Sequence, residues 1–164
     1  MKIAEFYRDS LGMNVKAAEV FAELREHYPH SEYAGAASVR QALCLYQEGH
    51  YSEAYEVTQM ALAGGLPEHE ALKAEFLVPL CEAAMGLNED AEAHMAAYCE
   101  KYPQGSITPR ALFWLGSNKL SQQEYGEALE YFEELVLRYP DSSYGQKARD
   151  YTHRLKSIGL ETAK

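Results

Sequence analysis

Residues 107–140 read ITPRALFWLGSNKLSQQEYGEALEYFEELVLRYP. Leu112, Leu115 and Lys119 follow helical spacing, and Phe113, Trp114 and Leu120 widen the apolar face. The stretch SQQEYG breaks the pattern. Tyr125, Ala128, Leu129, Phe132, Leu135 and Val136 then form a second apolar stripe of the i, i+3, i+4, i+7 kind. Pro140 ends that helix, because proline disfavours the α conformation at Tyr139. Ser142 or Ser143 can cap the next helix. The stretch therefore predicts two antiparallel helices and the start of a third.

The same plan recurs along the chain. EHYPHSEYAGAA (26–37) returns as LRYPDSSYGQKA (137–148), 111 residues later, which is three steps of 37. Tyr102-Pro103 supplies an intermediate copy, and Pro67 stands one place late at the other. Two alanine ladders keep the period: Ala17, Ala54, Ala91 and Ala128, and Ala37, Ala74, Ala111 and Ala148. A fixed period of this length signals stacked supersecondary units. An alanine at one place in every helix lets each pair of helices cross alike, since close crossings need small side chains. SEYAGAASVRQALCLYQ pairs with YSEAYEVTQMAL, and PEHEALKAEFLVPLCEAAMG with NEDAEAHMAAYCEKYP. Asn88, followed by Glu89 and Asp90, makes a favourable helix start.

The expected fold is all-α: a right-handed α-solenoid of about four antiparallel helix pairs plus a C-terminal capping helix. The approximate units are 1–29, 30–66, 67–103 and 104–140, with the cap at 141–158, all within a single domain 1–164. By register Met1 falls about three residues inside the first helix. The first helix is then short, or the chain is a piece of a longer protein.

Bulk composition agrees. The 164 residues are 47% apolar and 24% charged, which suits one folded domain. A net charge of −10 argues against binding nucleic acid through phosphate neutralisation. No apolar run approaches the ~20 residues that cross a bilayer, and the first residues do not form a signal peptide. Cys44, Cys81 and Cys99 are odd in number and show no pairing pattern, so they read as buried thiols in a reducing compartment. The residues present suit the cytoplasm; a fragment of an exported protein would belong in the periplasm.

These motifs resemble the tetratricopeptide repeat, whose pattern is W-x2-L-G-x2-Y, then A-x3-F, then A and P. Leu115-Gly116, Tyr125, Ala128, Phe132 and Pro140 fall on its places. Leu112 holds the aromatic position and Lys119 the tyrosine. Pro79 stands where a small residue belongs and is expected to kink its helix by removing a hydrogen bond. The period of 37 exceeds the usual 34, the extra residues falling around YPxS. That phrasing is similar to bacterial envelope repeat proteins, namely the lipoprotein of the outer-membrane β-barrel assembly machine and the Tol–Pal-associated coordinator.

The resemblance implies that first helices line an inner groove. Carried over place by place, it assigns Val39, Arg40, Leu43 and Tyr46 to that groove in one unit, and Lys73, Phe76 and Leu80 in the next. Arg110, Phe113 and Trp114 follow, then Lys147, Asp150, Tyr151 and Arg154. Lys73, Arg110 and Lys147 form a cationic ladder beside aromatic residues, while residues 124–138 carry five glutamates. A groove of this kind suits a protein or peptide partner with an apolar, partly acidic segment. The chain is thus expected to be a non-catalytic interaction scaffold. A self-assembling homo-oligomer and an envelope-assembly factor are the alternatives. The clamp used by chaperone-binding members does not carry over, because Leu43, Leu80 and Ser117 replace its first asparagine.

No nucleophile–base grouping, phosphate loop or close metal-ligand motif is present, so neither an enzyme nor a cofactor is expected. His27 and His30 flank Pro29 and do not share a helical face; a place at a helix end, where a protonated imidazole favours the dipole, accounts for them. His94 and Cys99 are five residues apart, a poor chelating geometry. Cys44 and Cys81 occupy equivalent places in adjacent units. The carboxylates read mostly as a solvated face.

Overall fold

The structure is a computed structural model that describes residues 1–157 and residue 159. Ile158 of the expected capping helix, and residues 160–164 of the expected domain, lie outside the described residues. Among the described residues there are nine α-helices and no strand. They are α1 (Lys2–Asp9), α2 (Asn14–His27), α3 (Ala34–Gln47), α4 (Tyr51–Ala63), α5 (Glu68–Ala84), α6 (Asn88–Lys101), α7 (Thr108–Ser121), α8 (Tyr125–Arg138) and α9 (Ser143–Ser157). Among the described residues, no helix is long and apolar enough to cross a membrane.

The chain divides into two compact units, Met1–His94 and Met95–Lys164. In the first, α1 packs on α2, α2 on α3, α3 on α4 and α4 on α5, and the alternate helices α3 and α5 also touch. In the second, α7 packs on α8, α8 on α9, and α7 on α9. Helix α6 begins in one unit and ends in the other.

The period is kept to the residue by the second helix of each pair. Helices α2, α4, α6 and α8 start at residues 14, 51, 88 and 125. The cause is the turn before each one. Gly12, Gly49, Gly86 and Gln123, again 37 apart, all have positive φ. The last three close in the Schellman manner, where the amide after the positive-φ residue reaches back five residues. His50 N donates to Leu45 O, Leu87 N to Glu82 O, and Glu124 N to Lys119 O, each at 2.9 Å. Gln123, with φ 64°, is the member that pays the left-handed penalty of a side chain. Gln123→Gly should therefore raise stability by about 1 kcal/mol. A denaturation midpoint unchanged or lowered in that variant would contradict this.

All eight ladder alanines have 0% exposure, as close helix crossings demand. Around Ala17 and Ala37 pack Ala4, Phe21 and Cys44. Val39, Ala61 and Ala74 form a second cluster, with Leu43 and Leu66 against it. Helix α5 runs without interruption through Pro79, which is fully buried between Val78 and Leu80. Burial of this apolar turn offsets the missing amide.

The Tyr-Pro phrase lies between units of the repeat. Tyr139 donates its hydroxyl to Pro103 O, and Arg138 Nη2 donates to the same carbonyl at 3.1 Å. One phrase thereby ties down the phrase before it. Tyr102 is half-buried against Tyr98, with ring centroids 5.1 Å apart. Tyr28, in contrast, is 65% exposed. The expected cap forms at Ser142, whose Oγ accepts from Gly145 N at 2.8 Å and donates to Tyr139 O at 2.9 Å. At the place of Gly145 in the preceding repeat stands Thr108, whose hydroxyl donates to Tyr102 O at 2.5 Å. Gly145 meets the equivalent carbonyl directly: a Cβ there would sit 2.1 Å from Tyr139 O. Gly145→Ala should consequently cost about 2 kcal/mol in a urea titration, since only backbone movement could relieve the overlap. A loss within 0.5 kcal/mol would show that the phrase gives way freely.

Candidate functional site

In the first unit, alternate helices α1, α3 and α5 surround a cavity of about 920 Å³. Helix α1 contributes Lys2 and Glu5, α3 contributes Ala36 and Arg40, and the start of α5 contributes His69 and Glu70. Tyr28 and Tyr33 stand at its edge, 65% and 52% exposed.

Arg40 organises the polar part. Its side chain is 23% exposed and lies 3.5 Å from both Glu5 Oε1 and Glu70 Oε1. Its Nη1 also donates to Ala36 O at 3.1 Å. Glu70 is only 5% exposed at its side chain and is further met by Lys73 Nζ at 3.3 Å and His69 Nε2 at 3.6 Å. A carboxylate so far from water needs such partners. The Arg40 guanidinium thus bridges helices that are thirty or more residues apart in sequence.

The other residues expected in the groove fall as follows. Val39, Phe76 and Leu80 are buried, and Leu43 is half-buried against the Val39 cluster. Tyr46 is half-buried, its ring 5.4 Å from that of Tyr51. Lys73, Arg110, Lys147, Asp150 and Arg154 are exposed. Lys73, Arg110 and Lys147 each precede a fully buried ladder alanine. In the second unit, Phe113 and Tyr151 join Phe132 and Tyr144 in one aromatic cluster. Tyr151 stacks on Phe132 at 4.9 Å, and Phe113 meets Phe132, Tyr144 and Tyr151 at 5.5–5.7 Å. Lys147 Nζ lies 5.4 Å from the Tyr144 ring centre, and Trp114 is half-buried.

Two carboxylates depart from the solvated face expected of them. Glu70 is one. Glu82, also on α5, is buried, with its Oε2 2.8 Å from His94 Nδ1 on α6. The burial of neither is announced by spacing: Glu82 meets His94 on another helix, and Glu70 meets Arg40 thirty residues earlier as well as Lys73 on its own helix. Lys119 behaves similarly. It stands where the family has a tyrosine, and it meets Glu124 at 2.6 Å and Glu127 at 3.0 Å across the α7–α8 hairpin. His27 Nδ1 lies 2.9 Å from Glu23 O in the last turn of α2.

The thiols are free and buried. Burial pushes Cys81 and Cys99 up from 9.0 to about 12, and raises Cys44 as well. A nucleophilic or metal-binding cysteine needs the opposite shift. Among the described residues, no group of three or more His, Cys, Asp or Glu could hold a metal. Cys81 and Cys99 should resist iodoacetamide at pH 8 in the native protein and react fully once it is unfolded. Native labelling at the rate of a free thiol, read by mass spectrometry, would contradict their burial. The proton is held in the folded state and lost from the unfolded chain near 9.0. Stability from these groups is therefore complete below pH 9 and declines as pH rises towards 12.

A family model described as a tetratricopeptide repeat matches residues 1–31 and 110–142. The structure superposes on the crystal structure of a tetratricopeptide repeat protein from Parabacteroides merdae ATCC 43184 with a TM-score of 0.74. Sequence identity is 16%, and the match covers 96% of this chain. The chain spans 59% of that protein. No curated protein matches the chain. The fold is thus an all-α helical repeat of the tetratricopeptide type. Folds of this type generally mediate protein–protein interaction. Neither match is to the envelope-assembly proteins that the Tyr-Pro phrase resembles.

Proposed function

We propose that this chain is a non-catalytic interaction scaffold that holds a partner's peptide or helix against its first helices. The observation that carries this reading is the open cavity of about 920 Å³ over α1, α3 and α5, with Tyr28 and Tyr33 exposed at its edge and Arg40 set within it. Aromatic and arginine side chains at a concave surface are the groups that usually dominate binding energy. The favoured partner is apolar and partly acidic. Lys2 and Lys73 supply exposed positive charge on the first unit, and Arg110, Lys147 and Arg154 on the second, in a chain whose net charge is −10. Val39, Phe76 and Leu80 are buried within the first unit, and Phe113 and Tyr151 pack edge to face within the second.

The test is affinity capture with the whole chain, followed by titration of the recovered partner peptide. It is repeated with Tyr28→Ala and Tyr33→Ala together, and with Lys73→Glu, Arg110→Glu and Lys147→Glu together. Tyr28 and Tyr33 are exposed; Lys73 also meets buried Glu70 at 3.3 Å, so circular dichroism must show the triple variant folded before its affinity is read. Undiminished affinity in both would remove the reading.

A second reading, association between copies, is favoured by exposed Ile3 and Phe6 on α1 and by exposed Leu11 and Met13 in the turn after it. Contiguous exposed apolar side chains mark contact surfaces. Light scattering across a dilution series separates the two, because only self-association changes the mass with concentration.

A further inference from the structure

A second, smaller cleft of about 280 Å³ lies on the first unit between α2 and α4, over α3. Val15, Ala18, Ala22 and Leu45 give it apolar walls, and Glu19, Glu48 and Glu53 stand around it, all three exposed. Gln41 also lines the cleft. Its residue is only 9% exposed, and its Oε1 is buried with no hydrogen-bond partner. A buried carbonyl oxygen left unpaired is costly, and native proteins rarely keep one without a use.

We infer that this cleft receives a lysine side chain from a partner protein, its methylene stem lying along Val15, Ala18, Ala22 and Leu45 and its ammonium donating to Gln41 Oε1 as the Gln41 amide turns into the cleft. The volume sits just below the range of ordinary small-molecule pockets, which suits one side chain. Lysine combines an apolar stem with a compact cationic head that carries three donors and no acceptor. Both features match the cleft: walls for the stem, an unpaired acceptor and surrounding carboxylates for the head. A carboxylate ligand would meet the unfavourable field of Glu19, Glu48 and Glu53. The neighbouring charges leave this balance negative. Glu48 Oε1 accepts from Asn14 Nδ2 at 2.8 Å, and Glu53 Oε1 lies 3.2 Å from His50 Nδ1. Lys16 is held over the Tyr7 ring, with Nζ 5.7 Å from its centre. Cys44, which also lines the cleft, is a buried thiol that burial keeps protonated. This cleft shares none of its lining residues with the larger cavity, so the two proposals stand or fall separately.

The probe is n-butylammonium, which reproduces the lysine side chain, followed by methyl chemical shifts of the whole chain. The expected result is saturable shifts at Val15, Ala18, Ala22 and Leu45. Affinity should fall at least fivefold in Gln41→Met, and at least fivefold in Glu19→Gln with Glu48→Gln. N,N,N-trimethylbutylammonium keeps the charge but has no donor, and should bind at least fivefold more weakly; butyrate should not bind. Because Gln41→Met removes an unpaired buried oxygen, its Tm should rise by about 2–4 °C. If that variant does not fold, the carboxamide pair and the trimethyl probe decide the matter alone. Equal binding of the two ammonium probes, undiminished binding in either variant, or shifts that grow linearly and scatter over the acidic surface would each overturn the inference.

Discussion

Phe132→Ala should cost about 3–5 kcal/mol, the range for emptying a buried aromatic site. Few single changes could cost more in a protein whose total stability falls in the usual ~5–15 kcal/mol. Phe132 is fully buried, stacks on Tyr151 and meets Phe113. It also fills the space that Gly116 leaves: a Cβ on Gly116 would lie 2.8 Å from the ring. Helices α7, α8 and α9 therefore converge on one side chain, and its loss cannot be healed by a single rotamer change. The consequence should be local. Units of a helical repeat draw their stability from their own packing and their nearest neighbours. Hydrogen exchange should accelerate most at amides of α7–α9 and least at those of α1–α4. Phe132→Leu should lose far less. Uniform acceleration over the whole chain, or a loss below 1 kcal/mol, would show that this cluster does not anchor its unit.

The pairing of helices was legible because it is written in local periodicity. Ala17 through Ala128 and Ala37 through Ala148 recur at 37 and are all inaccessible. Starts of the first helices drift, at residues 34, 68, 108 and 143, because the phrases before them differ in length and composition. The left-handed turns had a readable signal in Gly12, Gly49 and Gly86, but Gln123 interrupts it and breaks the ladder at the most family-like repeat. Side-chain partnerships were much harder to read. EHEALKAEF presents Glu70 as one acid among several at a helix start. Once buried, it is met by Arg40, thirty residues earlier, as well as by Lys73 on its own helix. Phe113 and Tyr151 sit at the register of an inner face, yet their closest aromatic contacts include Phe132 of a second helix. Spacing along one helix defines a face. It does not say which neighbouring element covers that face.

Arg40 is where fold and proposed function meet, and Arg40→Met should cost about 3 kcal/mol. The methionine replaces much of the stem but leaves buried Glu70 without one of its two close cations, and breaking one side of a buried pair is far costlier than removing both. Lys73 and His69 remain near Glu70, and Glu5 can turn to water, so the loss should stay at the lower end of what such breaks cost. The double variant Arg40→Met with Glu70→Met should recover most of it, because no uncompensated charge is then buried. If the guanidinium serves only to neutralise Glu70, the double variant will also bind a captured peptide as tightly as the wild type. If it anchors the partner, as proposed, stability will return while affinity stays low. Loss of affinity without recovery of stability would instead mean that the cavity had collapsed, and circular dichroism together with exchange at α1, α3 and α5 would reveal it. A cost below 1 kcal/mol for Arg40→Met would show that Lys73 and His69 suffice, and that Arg40 does not hold α1, α3 and α5 together.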